Sequence, residues 1–449
     1  MFHQSRPIGT DQEMTSTGKS RAVIAGLWAL AVLGTLALAY ERYHSNAWAV
    51  PGDFRSRGDD FWIFYHASHL VASGLNPYHF GFGTRGDGYV YSPLIALVLW
   101  PFLHLGISTV WHLWLIASIA SLVLAVLLVM KAEGPLERDW RRPVLFGIMI
   151  GSILRFMPTT VNFNNGNTDA FVLVFLAASV LASERGRSAT SGALLAFGGI
   201  VKTWPWAVAL IFLRRDFPRR WRTLIAFLLT SLIAPILALI LGGPSELASL
   251  IRVTVSASSQ RLVSCSVWGA PQALFSKSGF AQPLFVSAPL RWITTLILAT
   301  WAISILVRCL RWSDSTRLSF WNVVGCVLLL LPVSHADYTL LIVPILWIWV
   351  ARALALNTPR SPTTYFAGAM CLWWVVLFPT SFFNWLPSAW SVDVEIPFFA
   401  NLLAVTISVL GDHYVHRESV DSPSTTPDIV GRKRLFGSTS PRQPATTEA

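Results

Sequence analysis

The segment Gly58–Tyr78 has the sequence GDDFWIFYHASHLVASGLNPY and follows the first long apolar run of the chain, at about residues 22–40. It starts with two adjacent carboxylates, Asp59 and Asp60, and continues with a dense aromatic run and two histidines. A simple linker between membrane spans requires none of these features. The segment is therefore the first candidate for a functional site.

The composition around this segment indicates a membrane protein. The chain has 449 residues, of which 53% are hydrophobic and 13% are charged, whereas about 25% of the residues of a soluble domain are charged. Its 21 Trp and 27 Phe fit the aromatic belts that anchor membrane segments at the interface. We therefore predict an all-α polytopic membrane protein.

Apolar runs predict about twelve crossings. The runs lie at about residues 22–40, 89–105, 107–130, 143–161, 169–183, 188–213, 223–242, 290–308, 320–334, 339–353, 363–382 and 396–411. Two are ambiguous: 89–105 is short and could be re-entrant, and 188–213 is interrupted by VKTWPW and could form a hairpin. Counting every run once places 131–142 and 184–187 outside, whereas the hairpin and re-entrant scheme places both inside.

The charge distribution favours a membrane topology over nucleic-acid binding. The net charge of +11 is concentrated in short loops and in the polar tail, which is the pattern of the positive-inside rule. The clustered basic residues are Arg214, Arg215, Arg219, Arg220, Arg222, Arg308, Arg311, Arg317, Arg432, Lys433 and Arg434. The four cysteines lack CxxC spacing, which argues against a zinc site or a disulfide framework.

The runs and charges define a domain scheme. Residues 1–21 form a cytoplasmic segment, 22–412 form the membrane domain, and 413–449 form a cytoplasmic tail that is rich in Ser, Thr and Pro and is predicted to be disordered. Two long outer loops are expected, at 41–88 and 243–289.

Two interpretations of the opening segment stay open at this point. In the first, Asp59 or Asp60 caps a helix that lies on the membrane surface, with Phe61, Phe64, Tyr65 and Leu70 facing the lipid. In the second, one carboxylate is a general base at the membrane boundary. A base must be ionised and positioned, and the free N–H groups of a helix start favour the carboxylate form.

The same segment, followed by YVYSPLIALVLWPF, resembles the integral-membrane glycosyltransferases of family 87. In that family an aspartate at the outer membrane face precedes a tyrosine, an alanine, a G-x-x-x-Y element, a Y-x-P-L element and a second proline. Asp60 matches the aspartate. The other matching positions are Tyr65, Ala67, Gly74, Pro77, Tyr78, Tyr91, Pro93 and Pro101.

Three later stretches agree with this resemblance and follow in the same order. NNGNTDAFVLVFLAA (Asn164–Ala178) is similar to the G-Q/N element of the family, with Asn167 where glutamine is commoner. SGALLAFGGIVKTWPWAVALIFLRRD (Ser191–Asp216) is similar to its G…K-x-x-P span. LLLLPVSHADYTLLIVPILW (Leu328–Trp347) is similar to its P-x-S-x-x-x-Y element.

The resemblance implies a GT-C-type helical bundle whose extracytoplasmic loops form the active site at the plasma membrane; both topology schemes leave the two termini in the cytoplasm. It implies an inverting transferase that moves a sugar, usually mannose in α linkage, from a polyprenyl-phosphate donor to a glycolipid or lipoglycan acceptor of the cell envelope. Asp60 is then the general base, as in inverting sugar chemistry, with Asp59 as second choice. Neither a cofactor nor a metal is expected.

Cations are expected near the leaving phosphate, where they would stabilise the developing negative charge. The candidates are Lys202, Arg155 and Arg261. Each has an alternative: Lys202 could snorkel to the interface, Arg155 could pair with Asp169 inside the bundle, and Arg261 could be a solvated loop residue.

Other polar residues are candidates for binding the acceptor or the sugar. They are His335, Asp337, His66, His69, Tyr65, Asn164 and Asn167. Structural roles remain alternatives, since His335 or Asp337 could cap a helix, and N-G is a strong turn pair.

Two rival functions remain. Within the enzyme class, the donor sugar could be arabinofuranose. From a different class, a lipid or solute transporter or flippase would share the spans and basic loops, but it would be expected to carry broken helices near mid-membrane in repeated halves. The chain has no P-loop or dinucleotide fingerprint and no DxD triplet, which fits a lipid-linked donor.

Overall fold

The computed structural model describes residues 10–48, 58–79, 81–82, 87–133, 139–214, 216–256, 264–277, 282–312, 315–355, 361–377 and 391–421. Nearly all of them are helical. The strands in this part of the chain form a two-residue antiparallel ladder, β1 (Gly81–Phe82) with β2 (Asp87–Gly88). The prediction of an all-α polytopic membrane protein is confirmed.

Sixteen α-helices are described. They are α1 (Thr10–Ala47), α2 (Asp59–Ala72), α3 (Pro93–Leu99), α4 (Gly106–Ala132), α5 (Arg141–Leu154), α6 (Met157–Asn165), α7 (Asp169–Glu184), α8 (Ser188–Val201), α9 (Arg220–Ser231), α10 (Ile233–Ser256), α11 (Gly269–Phe275), α12 (Ala288–Trp312), α13 (Thr316–Leu330), α14 (Val343–Ala355), α15 (Pro362–Leu377) and α16 (Ser391–Asp421). Short 3-10 segments lie at Pro77–His79, Trp100–Leu105, Trp204–Leu213 and Ala336–Ile342.

Six described helices are long and apolar enough to cross a membrane, or seven if the bent pair α5 and α6 counts as one span. The predicted number of about twelve crossings is not confirmed by this criterion. Several apolar helices are shorter than the criterion, because Gly, Pro or a 3-10 turn interrupts them. Such interruptions are tolerated at membrane depth where the backbone is buried in protein rather than exposed to lipid.

The run 188–213 forms a hairpin. Its first arm is α8, and its second arm is the 3-10 segment Trp204–Leu213. The Trp206 indole donates to the carbonyl of Ala196 at 3.3 Å, and its ring fills the space beside Gly199. The second arm therefore folds back along the first, as one of the two topology schemes predicted.

Charged side chains gather at the end of the bundle where α7 and α14 finish and α13 begins. Arg317 forms ion pairs with Glu184 at 3.0 Å and Glu133 at 3.6 Å, and Arg352 pairs with Asp412 at 2.9 Å. Residues near 133 and 184 therefore share one end of the bundle, as both topology schemes predicted. Because α7 has 16 residues at 1.5 Å rise each, its first residue lies roughly 22 Å away, at the opposite end.

Helix α2 packs its aromatic face into the bundle, while Asp59, His69 and Ala72 are exposed. Phe61 and Phe64 are fully buried, and both rings pack near Trp114, at centroid distances of 5.7 and 5.5 Å. Gly58, in the left-handed conformation, occupies the N-cap position, so Asp59 and Asp60 are the first two residues of the helix. The prediction that Phe61, Phe64 and Tyr65 face the lipid is therefore wrong, because the aromatic face packs against α4, and the prediction of an aspartate N-cap is wrong because Gly58 holds that position.

The described elements refine the predicted boundaries. The first outer loop, predicted at 41–88, contains the end of α1 and all of α2. The second, predicted at 243–289, contains the last part of α10 and all of α11. Helix α16 continues to Asp421, past the predicted end of the membrane domain at 412; the remainder of the predicted tail, 422–449, lies outside the described residues.

Candidate active site

Four chain segments meet at the end of the bundle opposite the Arg317 ion pairs. They are the start of α2, the turn between α6 and α7, the end of α8 and the break between α13 and α14. A set of polar side chains joins the last three segments and is called the polar cluster here. Its members are Asn162, Asn167, Asp169, Lys202, Asp337 and Tyr338.

Lys202 is the centre of the polar cluster. The helix α8 ends at Val201, which leaves Lys202 as an extended C-cap residue with its side chain directed inward and 4% exposed. Its ammonium donates to Asp169 at 2.8 Å and to Asn167 at 2.9 Å. A buried charge is tolerated when it is paired and hydrogen-bonded, and both conditions hold here.

Two asparagines connect the carboxylates. Asn167 donates from its amide to Asp337 at 2.7 Å while its oxygen accepts from Lys202, so it links two chain segments that are 170 residues apart. Asn162 donates to the second oxygen of Asp169 at 3.2 Å. Each carboxylate in the cluster thus has a defined orientation.

Aromatic rings cover the ammonium. The Lys202 nitrogen lies 3.8 Å from the ring centroid of Tyr338, a close cation–π contact. Tyr338 also packs edge-on against His335 and stacks on Trp204, at centroid distances of 5.5 and 6.2 Å. Burial and the Lys202 charge lower the pKa of His335 to about 4, so its imidazole is neutral at pH 7 and can donate or accept a hydrogen bond.

Asp60 lies beside the cluster in the first turn of α2. The backbone N–H of Gly58 donates to the carbonyl of Asn164 at 2.6 Å, which attaches the start of this helix to the end of α6. Burial raises the pKa of the Asp60 carboxyl to about 7; Lys202 opposes the shift, while Asp337, Asp169 and Asp59 add to it. A carboxyl that titrates near neutral pH is suited to general acid–base chemistry.

Gly166 allows the turn between α6 and α7 to contact helix α2 closely. It has φ +70° at the end of α6, and an added Cβ would lie 2.6 Å from the Cβ of Phe61 and 2.8 Å from the Trp111 ring. Its carbonyl also accepts a hydrogen bond from Trp114 at 3.0 Å. The close packing of the α6–α7 turn on α2 therefore depends on the absence of a side chain at this position.

We predict that Gly166→Ala destabilises the protein more than Gly186→Ala does. Both glycines have positive φ, but nothing lies within 4 Å of a Cβ at Gly186. The left-handed conformation costs about 1–2 kcal/mol for alanine at both positions, and overpacking adds about 1–3 kcal/mol at Gly166 alone. Thermal unfolding of the two variants in detergent measures the difference; equal midpoints would contradict the packing argument.

The structure corrects two alternatives for the basic residues. Lys202 does not snorkel, because it is buried and paired with Asp169. Arg155 is not the partner of Asp169; it lies at the end of α5 and pairs with Glu41 at 2.7 Å, where both side chains are 49% exposed. Arg261 lies outside the described residues. Contact of Lys202, Arg155 and Arg261 with a donor phosphate stays a prediction.

Other predicted residues lie at different distances from the cluster. Asn167 and Asp337 are members, His335 is adjacent, and Asn164 contributes its carbonyl to Gly58. At 100° per residue, His69 faces away from Asp60 on α2, and it packs against Tyr65 at 4.9 Å.

His66 lies against Trp62, with ring centroids 4.0 Å apart. Burial, followed by the nearby His69, lowers the pKa of His66. Acceptor binding by Tyr65, His66 and His69 stays a prediction.

Sequence reasoning missed Asn162, Trp204 and Tyr91 as parts of the site, and considered Asp169 only as a partner of Arg155. A carboxylate that follows a turn inside an apolar run was a usable signal for Asp169, since such residues need a partner. Tyr91 is buried, which raises its pKa with a contribution from Asp60. Its position in the Y-x-P-L element of the family was a signal, but the sequence analysis did not name it as a site residue.

Among the described residues, no group of three or more His, Cys, Asp or Glu side chains could hold a metal ion. The expectation of no cofactor stays a prediction.

Comparison with protein families gives a match over more than half of the chain: the sequence profile of glycosyltransferase family 87 matches residues 89–334. None of the curated proteins compared with the chain matches it.

Proposed function

The chain belongs to glycosyltransferase family 87 and is therefore a membrane glycosyltransferase, and from this we propose a specific reaction. The enzyme transfers a sugar, with mannose as the first choice, from a polyprenyl-phosphate donor to a hydroxyl group of a glycolipid or lipoglycan. The transfer inverts the anomeric centre. It takes place at the extracytoplasmic face of the plasma membrane, during assembly of the cell envelope.

The observation that carries this proposal is the position of Asp60. Its carboxyl lies beside the polar cluster, in the first turn of a helix, and has a pKa of about 7. The family match starts at residue 89, so the role of Asp60 rests on this geometry and on the resemblance of its segment. Asp60 accepts the proton of the acceptor hydroxyl as the oxygen attacks the anomeric carbon.

The leaving group needs less assistance than the nucleophile. A polyprenyl phosphate departs as a stable anion, so one base suffices and no dedicated acid is required. A cation near the phosphate stabilises its growing charge. Lys202 is the best-placed candidate because its ammonium lies within the polar cluster, although in this state it is engaged by Asp169 and Asn167.

The charge distribution supports an extracytoplasmic site. The end of the bundle opposite the polar cluster carries an excess of arginines at the ends of α7, α12 and α14 and at the start of α13. They are Arg185, Arg187, Arg308, Arg311, Arg317 and Arg352. By the positive-inside rule this end is expected to face the cytoplasm, which supports the proposed outer position of Asp60 and of both outer loops and a cytoplasmic position of the two termini.

A radiolabel assay in membranes tests the proposal. Membranes that contain the protein are supplied with labelled polyprenyl-phosphate-mannose and, separately, with labelled polyprenyl-phosphate-arabinofuranose. Transfer to the lipid or lipoglycan fraction from mannose supports the first choice, and transfer from arabinofuranose alone supports the runner-up. Movement of an intact labelled lipid across the bilayer, without transfer, would favour a flippase instead.

The activity is expected to rise with pH and to level off above about pH 7. Because burial raises the pKa of Asp60 to about 7, its ionised and active form is lost as the pH falls below that value. The measurement is kcat/KM for the donor between pH 5 and pH 9. A rate that stays constant from pH 5 to pH 8 would rule out a base with this pKa.

A further inference from the structure

One buried polar atom next to the polar cluster has no hydrogen-bond partner in the part of the chain that the structure describes. Trp204 begins the segment that follows Lys202, and its side chain is 7% exposed. Its ring stacks on Tyr338 with an interplanar angle of 24°. Its indole N–H has no hydrogen-bond acceptor among the residues that the structure describes. Burial of an unpaired donor costs about 1–3 kcal/mol, so this atom requires an explanation.

The fold satisfies most of its other buried indoles. The N–H groups of Trp111 and Trp114 donate to the carbonyls of Asn46 and Gly166, at 3.1 and 3.0 Å. Those of Trp347 and Trp349 donate to Ser152 and Ser408, at 2.8 and 3.1 Å. An unpaired indole is therefore not a general feature of this interior.

Trp373 is a second exception in the described part of the chain. Its ring lies against Phe156, with centroids 5.8 Å apart. By contrast, Trp204 lies against a ring of the polar cluster. Proximity to the reaction centre therefore distinguishes Trp204 from Trp373.

We propose that Trp204 is a substrate-binding residue whose indole N–H donates a hydrogen bond to an oxygen of the glycosyl-phosphate donor. The inference rests on the proposed function and adds a residue to it. An indole N–H can only donate a hydrogen bond, so its partner must be a hydrogen-bond acceptor. The polyprenyl-phosphate-sugar offers two kinds of hydrogen-bond acceptor: phosphate oxygens and sugar hydroxyl oxygens.

The neighbours of Trp204 favour the polyprenyl-phosphate-sugar over the acceptor lipid as its ligand. The Tyr338 ring contacts both groups: the indole stacks on it, and the ammonium of Lys202 lies 3.8 Å from its centroid. The unpaired donor and the cation thus belong to the same part of the site. A glycosyl phosphate is the substrate that presents both a negative charge and neutral acceptors there.

The test is the variant Trp204→Phe, which keeps an aromatic ring against Tyr338 and removes only the N–H and part of the ring. We expect KM for polyprenyl-phosphate-mannose to rise about three- to tenfold, the range of one ordinary hydrogen bond. We expect KM for the acceptor to stay within twofold of the wild type. The thermal midpoint should change little, because no internal hydrogen bond is lost.

Trp206→Phe is the matched control, two residues further along. Its indole N–H is bonded to Ala196 at 3.3 Å, so this variant loses an internal bond and no proposed substrate contact. We expect a lower thermal midpoint than for Trp204→Phe and an unchanged KM for the donor. Trp204→Phe should therefore raise the donor KM with little change in stability, whereas Trp206→Phe should lower the stability with little change in the donor KM.

Product inhibition identifies the oxygen that is bound. If Trp204 contacts the phosphate, Trp204→Phe raises the inhibition constant of free polyprenyl phosphate together with the donor KM. If it contacts the sugar, only the donor KM rises. An unchanged donor KM, or a loss of stability as large as that of Trp206→Phe, would overturn the inference while wild-type transfer still supported the proposed function.

Discussion

Replacing Asp60 by asparagine is expected to lower the rate of sugar transfer by about 10²–10⁴-fold, the usual contribution of a general base. The amide is nearly isosteric with the carboxyl, but it cannot accept the proton of the attacking hydroxyl. Asp60 is half-buried in the first turn of α2, where asparagine fits without a clash. The measurement is labelled-sugar transfer in membranes that contain equal amounts of wild-type and variant protein.

Asp59→Asn is the matched control for this result. Asp59 is adjacent but exposed, and its charge makes the smallest of the contributions to the raised pKa of Asp60. We expect this variant to retain most of its activity, with a pH profile moved slightly to lower pH. Equal activity of Asp60→Asn and the wild type would instead remove Asp60 from the mechanism and direct attention to Asp59 or Asp337.

The second large effect is expected from Lys202→Met, which should lower the free energy of unfolding by about 3–5 kcal/mol. The ammonium is buried and pairs with Asp169 at 2.8 Å. Its removal leaves the buried Asp169 carboxylate without its counter-ion, and the Asn167 side-chain oxygen loses one of its donors while it keeps the Thr168 backbone N–H. Thermal unfolding in detergent micelles, followed by tryptophan fluorescence, measures the loss.

Two further variants separate charge pairing from other causes. Lys131→Met removes an exposed ammonium at the end of α4, and a surface change of this kind is expected to stay within about 0.5 kcal/mol. The double variant Lys202→Met with Asp169→Asn also removes the unpaired charge, so it should recover more than half of the lost stability. A double variant as unstable as Lys202→Met alone would show that the ion pair is not the cause.

Lys202→Met should also move the pH dependence of any residual transfer to higher pH. The Lys202 charge favours the ionised form of Asp60 and opposes the effect of burial. Without the ammonium, the carboxyl needs a higher pH to ionise, and the rising part of the profile follows it. An unchanged profile would show that Lys202 and Asp60 do not interact in the active enzyme.

Several features of the site were predictable because they depend on local sequence. The segment around Asp60 and the later motif containing Lys202 carried the family resemblance, and the family is confirmed. The lysine inside the apolar run at VKTWPW indicated a functional residue, since charge is costly there, although the alternative of a snorkelling side chain was wrong. The break at SHADY predicted polar side chains between two spans, where the structure places His335 and Asp337.

The partners of these residues were not predictable. The link from Asn167 to Asp337 joins positions 170 residues apart, and no spacing rule connects them. Arg155 and Lys202 were equivalent candidates in sequence, yet Lys202 is buried with Asp169 while Arg155 is half-exposed with Glu41. The difference depends on which helix ends come together, which is a property of the whole bundle.

The sequence by itself determined the membrane class, the helical architecture, the family and the identity of the first candidate base. These follow from composition, hydrophobic run length and local motifs, which are properties of residues near one another along the chain. Only the tertiary structure decided that the aromatic face of α2 is buried, that Lys202 is paired with Asp169 and that Trp204 lies beside Tyr338. Burial and pairing depend on side chains from distant segments that meet in space, and burial together with the Lys202 charge shifts the pKa of Asp60.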